Sequence, residues 1–168
     1  MGVSNRVIQD KRLAHLQRVG WKVGATSSSV QALFGIDEPA TAPMFKPFCF
    51  ISPKTVPILM DQHTNVEAEF AFQFGDDLPP RKLIYDREEI LSAVTAVIPA
   101  IEIVGCRFEG GFEQLGAMQL VADMTAHSAF VRGQPTRVWK DMDLRLHPVV
   151  LRKNNRTVAE GTGANVLG

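Results

Sequence analysis

The fold is decided by a stretch in which glutamates alternate with apolar residues, Val66-Glu67-Ala68-Glu69-Phe70-Ala71-Phe72. On a β-strand successive side chains point to opposite faces, so Glu67 and Glu69 share one face. We expect the other face, which carries the apolar residues and continues to Phe74, to pack against a core. Such a pattern is most often a half-exposed strand with a solvated acidic face.

A third carboxylate makes a metal site the competing interpretation. Glu102 interrupts the apolar run of residues 98–104, and an ionised glutamate is seldom fully buried unless it is paired. A salt bridge to a neighbour such as Arg107 would pair it. A hard divalent cation shared with Glu67 and Glu69 would also pair it, and would relieve the repulsion between those two glutamates. The residues alone leave both interpretations open.

Composition predicts one ordinary globular domain, residues 1–168. The chain is 45% hydrophobic and 21% charged, and its 18 basic residues balance its 18 acidic ones. Without a basic excess, neither nucleic acid nor a membrane is expected as a partner. The two cysteines show no metal-binding spacing, and residues 1–12 do not form a signal peptide, so we expect a reduced, cytoplasmic compartment.

The first half of the chain is predicted to contain two helices and a short strand. Residues 4–19 form a weakly amphipathic pattern, which predicts an N-terminal helix over 1–19 before a core at 20–168. Residues 21–25 predict a strand in which Lys22 faces away from its apolar neighbours. Ser27 is the predicted N-cap of a helix that ends at Gly35.

The second half is predicted to contain a helix, a buried strand and a hairpin. Residues 86–89 form a capping box, and the helix that it opens is expected to run to Pro99. Residues 100–105 then predict a buried strand. Asn154-Asn155, between two apolar runs, predicts a β-hairpin. The strands are not separated by regular helices, so the fold class is α+β, with a mainly β core and a few peripheral helices.

Six motifs occur in an order that resembles the 2-keto-4-pentenoate hydratase and 4-oxalocrotonate decarboxylase family, within the fumarylacetoacetate hydrolase superfamily. They are Gly20-Trp21-Lys22-Val23-Gly24-Ala25-Thr26-Ser27, Gly35-Ile36-Asp37-Glu38-Pro39, Val66-Glu67-Ala68-Glu69, Pro99-Ala100-Ile101-Glu102-Ile103-Val104, Val121-Ala122-Asp123 and Gly161-Thr162-Gly163-Ala164-Asn165-Val166-Leu167-Gly168. The likeness runs from Gly20 to the last residue. Family members have a further segment after the last motif, so the resemblance implies a C-terminally incomplete core.

The resemblance implies a fold, a metal and a substrate class. The fold would be a mixed β-sandwich roll of the fumarylacetoacetate hydrolase C-terminal-domain type. Glu67, Glu69 and Glu102 match the family's three ligands of Mg²⁺ or Mn²⁺, and Lys22 matches its active-site lysine. The substrate would be a small 2-oxo acid that chelates the metal.

Three further residues are weaker site candidates. We assign Asp37 a catalytic role beside Lys22, although a loop cap before Pro39 would also explain it. Asp123 and Thr162 are assigned to substrate binding. A simple turn residue is the alternative for each of them.

The leading functional hypothesis is a hydratase, a lyase that adds water to a 2-hydroxy-2,4-dienoate during the degradation of aromatic compounds. The alternatives are a 2-oxo-enedioate decarboxylase of the 4-oxalocrotonate type and an acylpyruvate hydrolase. A truncated accessory homologue is the non-enzyme alternative. A sheet without its last strands exposes an edge, so we also expect the chain to form a homo-oligomer.

Overall fold

The structure, a computed structural model, describes residues 14–58 and 63–168. These residues form a mixed α+β fold with three short α-helices and eight strands, which confirms the predicted fold class. The helices are α1 (Ser28–Phe34), α2 (Arg87–Ala93) and α3 (Ala117–Ala122). The strands are β1 (Arg18–Gly24), β2 (Ala40–Phe45), β3 (Cys49–Ile51), β4 (His63–Phe74), β5 (Val94–Cys106), β6 (His127–Arg132), β7 (Pro148–Lys153) and β8 (Arg156–Thr162). Within the described ranges, no helix is both long and apolar enough to span a membrane.

A four-stranded sheet of order β3-β6-β5-β4 positions the acidic residues. Its two long strands, β4 and β5, are antiparallel, and their register places Glu67 directly opposite Glu102. Glu69 lies two residues further along β4, opposite Ala100, and therefore on the same face as Glu67. The register thus brings three separate carboxylates to one patch of the sheet.

Two antiparallel pairs, β1–β2 and β7–β8, complete the strands of the described residues. In the β7–β8 hairpin, Asn154 and Asn155 both have positive φ, 52° and 62°. This is the backbone that a tight two-residue hairpin turn needs and that asparagine tolerates, so the predicted hairpin is confirmed. Helix α1, which connects β1 to β2, is capped by Ser27 and ends at Gly35 with φ 64°, as expected.

The predicted N-terminal helix is wrong over residues 14–19, the part of it that the structure describes, because none of these residues is helical. Residues 1–13 lie outside the described part of the chain, and β1 already begins at Arg18. Arg18 and Gly20 pair with Phe45 and Met44 of β2. Pairing with β2 therefore extends the strand on its N-terminal side.

The helix that opens at residue 86 ends earlier than expected. The capping box is present, with Glu89 donating its amide to Asp86 at 2.8 Å, but α2 ends at Ala93. Residues 94–98 are rich in β-branched side chains and pair with β4 instead. Pro99 does not stop a helix but lies within β5, where it is tolerated because the β6 pairing ends at Ala100.

The apolar face of β4 does not form the core that the alternation predicted. Val66, Phe72 and Phe74 are each exposed, and Phe70 is half-buried. The core lies elsewhere, in one cluster around Phe34, Val104 and Leu120 and a second around Val94, Val97 and Trp139. In the described residues, the apolar face of β4 lines a wide cleft instead.

Candidate active site

Three carboxylates converge at the centre of the long β4–β5 pair. Glu67, Glu69 and Glu102 each offer a carboxylate oxygen, and these oxygens all lie within 4.8 Å of one another. We call these residues the carboxylate group. Their burial differs, since Glu67 is exposed, Glu69 is half-buried and Glu102 is only 4% exposed. The group therefore has a buried end at Glu102 and an open end at Glu67.

Lys22 reaches the buried end of the carboxylate group from β1. Its Nζ lies 2.8 Å from Glu102 Oε2 and donates to the Thr125 carbonyl at 3.0 Å. The lysine is only 8% exposed, so it is not a solvated surface lysine. The negative charge of the nearby carboxylates offsets the free-energy cost of burying the ammonium group.

His127 is hydrogen-bonded to the other carboxylate oxygen of Glu102. Its Nδ1 lies 2.8 Å from Glu102 Oε1, and the residue is 1% exposed. His127 was not among the predicted site residues. Its only signal was its position shortly after Asp123, because the β5–β6 register that brings it to Glu102 is not visible in a single sequence.

The electrostatics of the carboxylate group favour a bound cation. Burial, together with the charges of Glu102 and Glu67 and against the opposing effect of Lys22, raises the pKa of Glu69 to about 7. Glu67 is more open to solvent, but partial desolvation of its carboxylate and the charge of Glu102 also raise its pKa, and Lys22 again opposes the shift. One lysine thus does not neutralise the three carboxylates, and the negative charge that remains fits a divalent ion.

The donor set fits a hard metal ion. All three ligand atoms are carboxylate oxygens, the donors that Mg²⁺, Ca²⁺ and Mn²⁺ prefer over softer metals. Three protein ligands leave further coordination positions for water or a substrate. Among the described residues, the carboxylate group alone brings three potential ligands this close together.

The other predicted site residues lie in different surroundings. Asp123 is buried and forms an ion pair with Arg107 at 2.7 Å, which commits its carboxylate to the protein. Asp37 is exposed in the loop after α1, and the structure does not bring it to the carboxylate group. Their predicted roles remain predictions.

Thr162 lies on the wall of the same cleft as Lys22, Glu69 and Glu102. Its amide donates to Asn165 Oδ1 at 2.7 Å, which fixes the glycine-containing turn after β8. The cleft measures about 1580 Å³, more than the roughly 300–1,000 Å³ of a typical small-ligand pocket. The described residues therefore form a cleft that is too large and open to enclose a small molecule by themselves.

Fold and site together define a class of protein, an α+β scaffold with a paired-strand carboxylate centre suited to a divalent cation. Comparison with known proteins makes the class specific. The chain is 34% identical over 150 residues to the 2-keto-4-pentenoate hydratase of Paraburkholderia xenovorans, and 30% identical over 150 residues to the 4-oxalocrotonate decarboxylase of Pseudomonas sp. strain CF600. Each match covers 89% of this chain.

Solved structures agree at the level of the fold. The 4-oxalocrotonate decarboxylase of Pseudomonas putida G7 complexed with magnesium and adipate superposes with a TM-score of 0.78 at 24% identity over 98% of this chain. Its complex with calcium and acetate gives a TM-score of 0.80 over the whole chain. No family model matches the sequence.

The chain is therefore homologous to the 2-keto-4-pentenoate hydratase and 4-oxalocrotonate decarboxylase family, as the motifs indicated. It spans about half the length of the curated relatives it matches, 54% and 55% for the two proteins named above. For the two solved structures the share is 61% and 64%.

Proposed function

We propose that this chain carries the metal centre of a Mg²⁺- or Mn²⁺-dependent hydratase that adds water to a 2-hydroxy-2,4-dienoate. The observation that carries the proposal is the carboxylate group with Lys22 at its buried end, in a chain homologous to proteins named 2-keto-4-pentenoate hydratase. The degradation of aromatic compounds is the metabolic setting that we propose. The fold would then be the mixed β-sandwich roll of the fumarylacetoacetate hydrolase C-terminal-domain type.

Glu67, Glu69 and Glu102 would hold the divalent ion. When bound, such an ion stabilises the negative charge that develops on the 2-oxygen of a 2-oxo acid during enolisation. A cation would also stabilise the carboxylate group, because the negative charges of its three members exceed the positive charge of Lys22. Ala71 and its strand partner Ile98 lie on the same face of the sheet as the carboxylate group and line the same cleft, so they offer an apolar surface for the hydrocarbon part of the substrate.

Lys22 would act on the substrate beside the carboxylate group. An ammonium has three hydrogens, and the Glu102 carboxylate and the Thr125 carbonyl accept two of them. The third remains for a substrate oxygen or for a proton transfer. Because its two partners hold the lysine in place, the substrate does not have to order it.

Thr162 is the proposed contact for the substrate carboxylate. Its hydroxyl lies in a turn whose backbone is fixed by Asn165, on the wall of the cleft shared with Lys22. A threonine hydroxyl can still donate its hydrogen when its oxygen accepts a bond from the turn.

A decarboxylase is the second candidate function. It is favoured by the two solved structures named above, which are complexes of a 4-oxalocrotonate decarboxylase. The two reactions share an enolate at C2, so the carboxylate group and Lys22 would serve either. Release of CO₂ from a 2-oxo-enedioate, without hydration of a dienoate, would favour this candidate.

The first test is calorimetric titration of the purified chain with Mn²⁺, with and without oxalate. Oxalate imitates the planar enolate of a 2-oxo acid. We expect Mn²⁺ binding that oxalate tightens and that Glu69→Gln abolishes, whereas Glu109→Gln, at an exposed loop position, leaves it unchanged. A folded chain that binds no Mn²⁺ would contradict the proposal.

Substrate turnover is the second test. Loss of the dienol absorbance of 2-hydroxypenta-2,4-dienoate without CO₂ release supports the hydratase. Metal binding without turnover of either substrate would favour an accessory homologue.

A further inference from the structure

We infer that His127 is a positioning residue, which holds the Glu102 carboxylate in the orientation in which it shares a cation with Glu67 and Glu69. The inference deepens the proposed function and rests on it. Glu102 is buried, and a buried carboxylate needs hydrogen-bond donors on its oxygens.

Two donors fix the two oxygens of Glu102 separately. Lys22 Nζ lies 2.8 Å from Oε2, and His127 Nδ1 lies 2.8 Å from Oε1. An ionised carboxylate only accepts hydrogen bonds, so Nδ1 carries the hydrogen in this tautomer. Rotation of the carboxylate would break both bonds at once. Each oxygen keeps a second lone pair for a metal ion.

The packing of the core does not require a histidine at this position. His127 is 1% exposed, and its Nε2 has no hydrogen-bond partner among the described residues. An apolar side chain of similar volume would avoid burying that unpaired nitrogen. The hydrogen bond between Nδ1 and Glu102 is therefore the contact that accounts for a histidine at this position.

A backbone turn of unusual conformation delivers these contacts. Met124, Thr125 and Ala126 all have positive φ, 54°, 53° and 59°, a region that non-glycine residues rarely adopt. Such backbone persists only where the surroundings enforce it. The turn aims the Thr125 carbonyl at Lys22 and begins β6 with the ring of His127 at Glu102.

Arg107 holds the turn at both ends. Its guanidinium pairs with Asp123 before the turn and donates to the carbonyl of His127 after it. This ion pair, buried only on the Asp123 side, therefore fixes the backbone from which the histidine projects. Asp123 therefore acts on the position of His127 indirectly, through Arg107.

Three variants of residue 127 separate positioning from packing. His127→Asn places an amide donor close to the position of Nδ1, His127→Gln places it closer to Nε2, and His127→Leu removes the donor. Loss of a donor to a metal-binding carboxylate typically weakens metal binding about 10–100-fold. We expect this loss in the Kd for Mn²⁺ of His127→Leu and His127→Gln, and an Asn variant within about threefold of wild type.

Calorimetry and thermal unfolding of the same samples decide between the outcomes. Wild-type Mn²⁺ affinity in a folded His127→Leu variant would overturn the inference and leave the proposed function intact. A wild-type chain that binds no Mn²⁺ would instead overturn the proposed function itself, and this inference with it. Equal weakening in the Asn and Leu variants would show a packing role and would also overturn the inference.

A measurement on the wild-type chain covers the case in which the variants do not fold. Long-range ¹H–¹⁵N NMR of the imidazole groups reports which nitrogen of each histidine carries the hydrogen. The four histidines include His127, whose signals are assigned as those that relax fastest when Mn²⁺ is added. We expect Nδ1 to be protonated, and an Nε2-protonated tautomer would overturn the inference.

Discussion

Replacing Glu69 with glutamine should stabilise the metal-free protein while it removes the metal site. Burial and neighbouring charges raise the pKa of Glu69 from 4.5 to about 7. The folded state therefore holds this proton more tightly than the unfolded state, so stability is lost as the pH rises from about 4.5 to about 7. At about 1.4 kcal/mol per unit, the full shift corresponds to roughly 3.5 kcal/mol. Because Glu69 is only half-buried, solvent screening reduces this to about 1–2 kcal/mol.

Thermal unfolding followed by circular dichroism, with EDTA present, measures this effect. At pH 8 we expect Glu69→Gln to raise Tm by roughly 2–8 °C, with the difference narrowing toward pH 5. Saturating Mn²⁺ should reverse the order, because it stabilises the wild type and not the variant. Glu109→Gln, at an exposed loop position, should show no pH-dependent difference. A Glu69→Gln variant that is less stable than wild type at pH 8 would refute the reasoning, since it would show that the ionised carboxylate is favourable without a metal.

The affinity for Mn²⁺ should rise about tenfold per pH unit up to about pH 7 and then level off, because the ion displaces the proton that Glu69 holds; calorimetry that gives a flat profile would contradict this. Lys22→Met should destabilise the metal-free chain by about 3–5 kcal/mol, and Mn²⁺ should raise its Tm more than that of wild type, as thermal unfolding would show. Gly24→Ala should lower the free energy of unfolding by about 1–3 kcal/mol, because its new Cβ would lie 2.7 Å from Thr125 Cγ2. Gly20→Ala on the same strand is the control, since its nearest neighbour would be 4.0 Å away, and denaturant titrations should show no loss of stability. Asp86→Ala should cost about 0.5–2 kcal/mol through loss of the N-cap of α2, with equal urea midpoints as the contrary result.

The carboxylate group could be predicted because its pattern depends on the strand period alone. Two glutamates one residue apart share a face on any β-strand, and a glutamate within an apolar run needs a partner. The sequence did not supply the register, which places Glu67 opposite Glu102. The register depends on how β4 and β5 pair over their whole length, so the convergence remained one of two open interpretations until the fold was known.

The boundary between α2 and β5 shows why a local signal misled. The capping box correctly predicted where α2 begins, because a cap involves only neighbouring residues. The end of the helix is set by a distant strand instead. Residues 94–98 have an apolar spacing that also suits a helix, but their β-branched side chains and their pairing with β4 favour a strand. Pairing partners of this kind are not visible in a single sequence.

Strand β1 shows most clearly how the site overrides the usual assignment of faces. The alternation of residues 21–23 correctly separates Lys22 from Trp21 and Val23, but it does not say which face points inward. Apolarity alone would bury Trp21 and Val23, yet they are 49% and 52% exposed, and Lys22 is buried. The reason is electrostatic. Leaving the buried carboxylate of Glu102 without a cation would cost more free energy than leaving the side chains of Trp21 and Val23 exposed. The outward apolar face of β1 then joins that of β4 on the wall of the cleft. The charge balance of the carboxylate group thus also determines which apolar surface this chain leaves exposed.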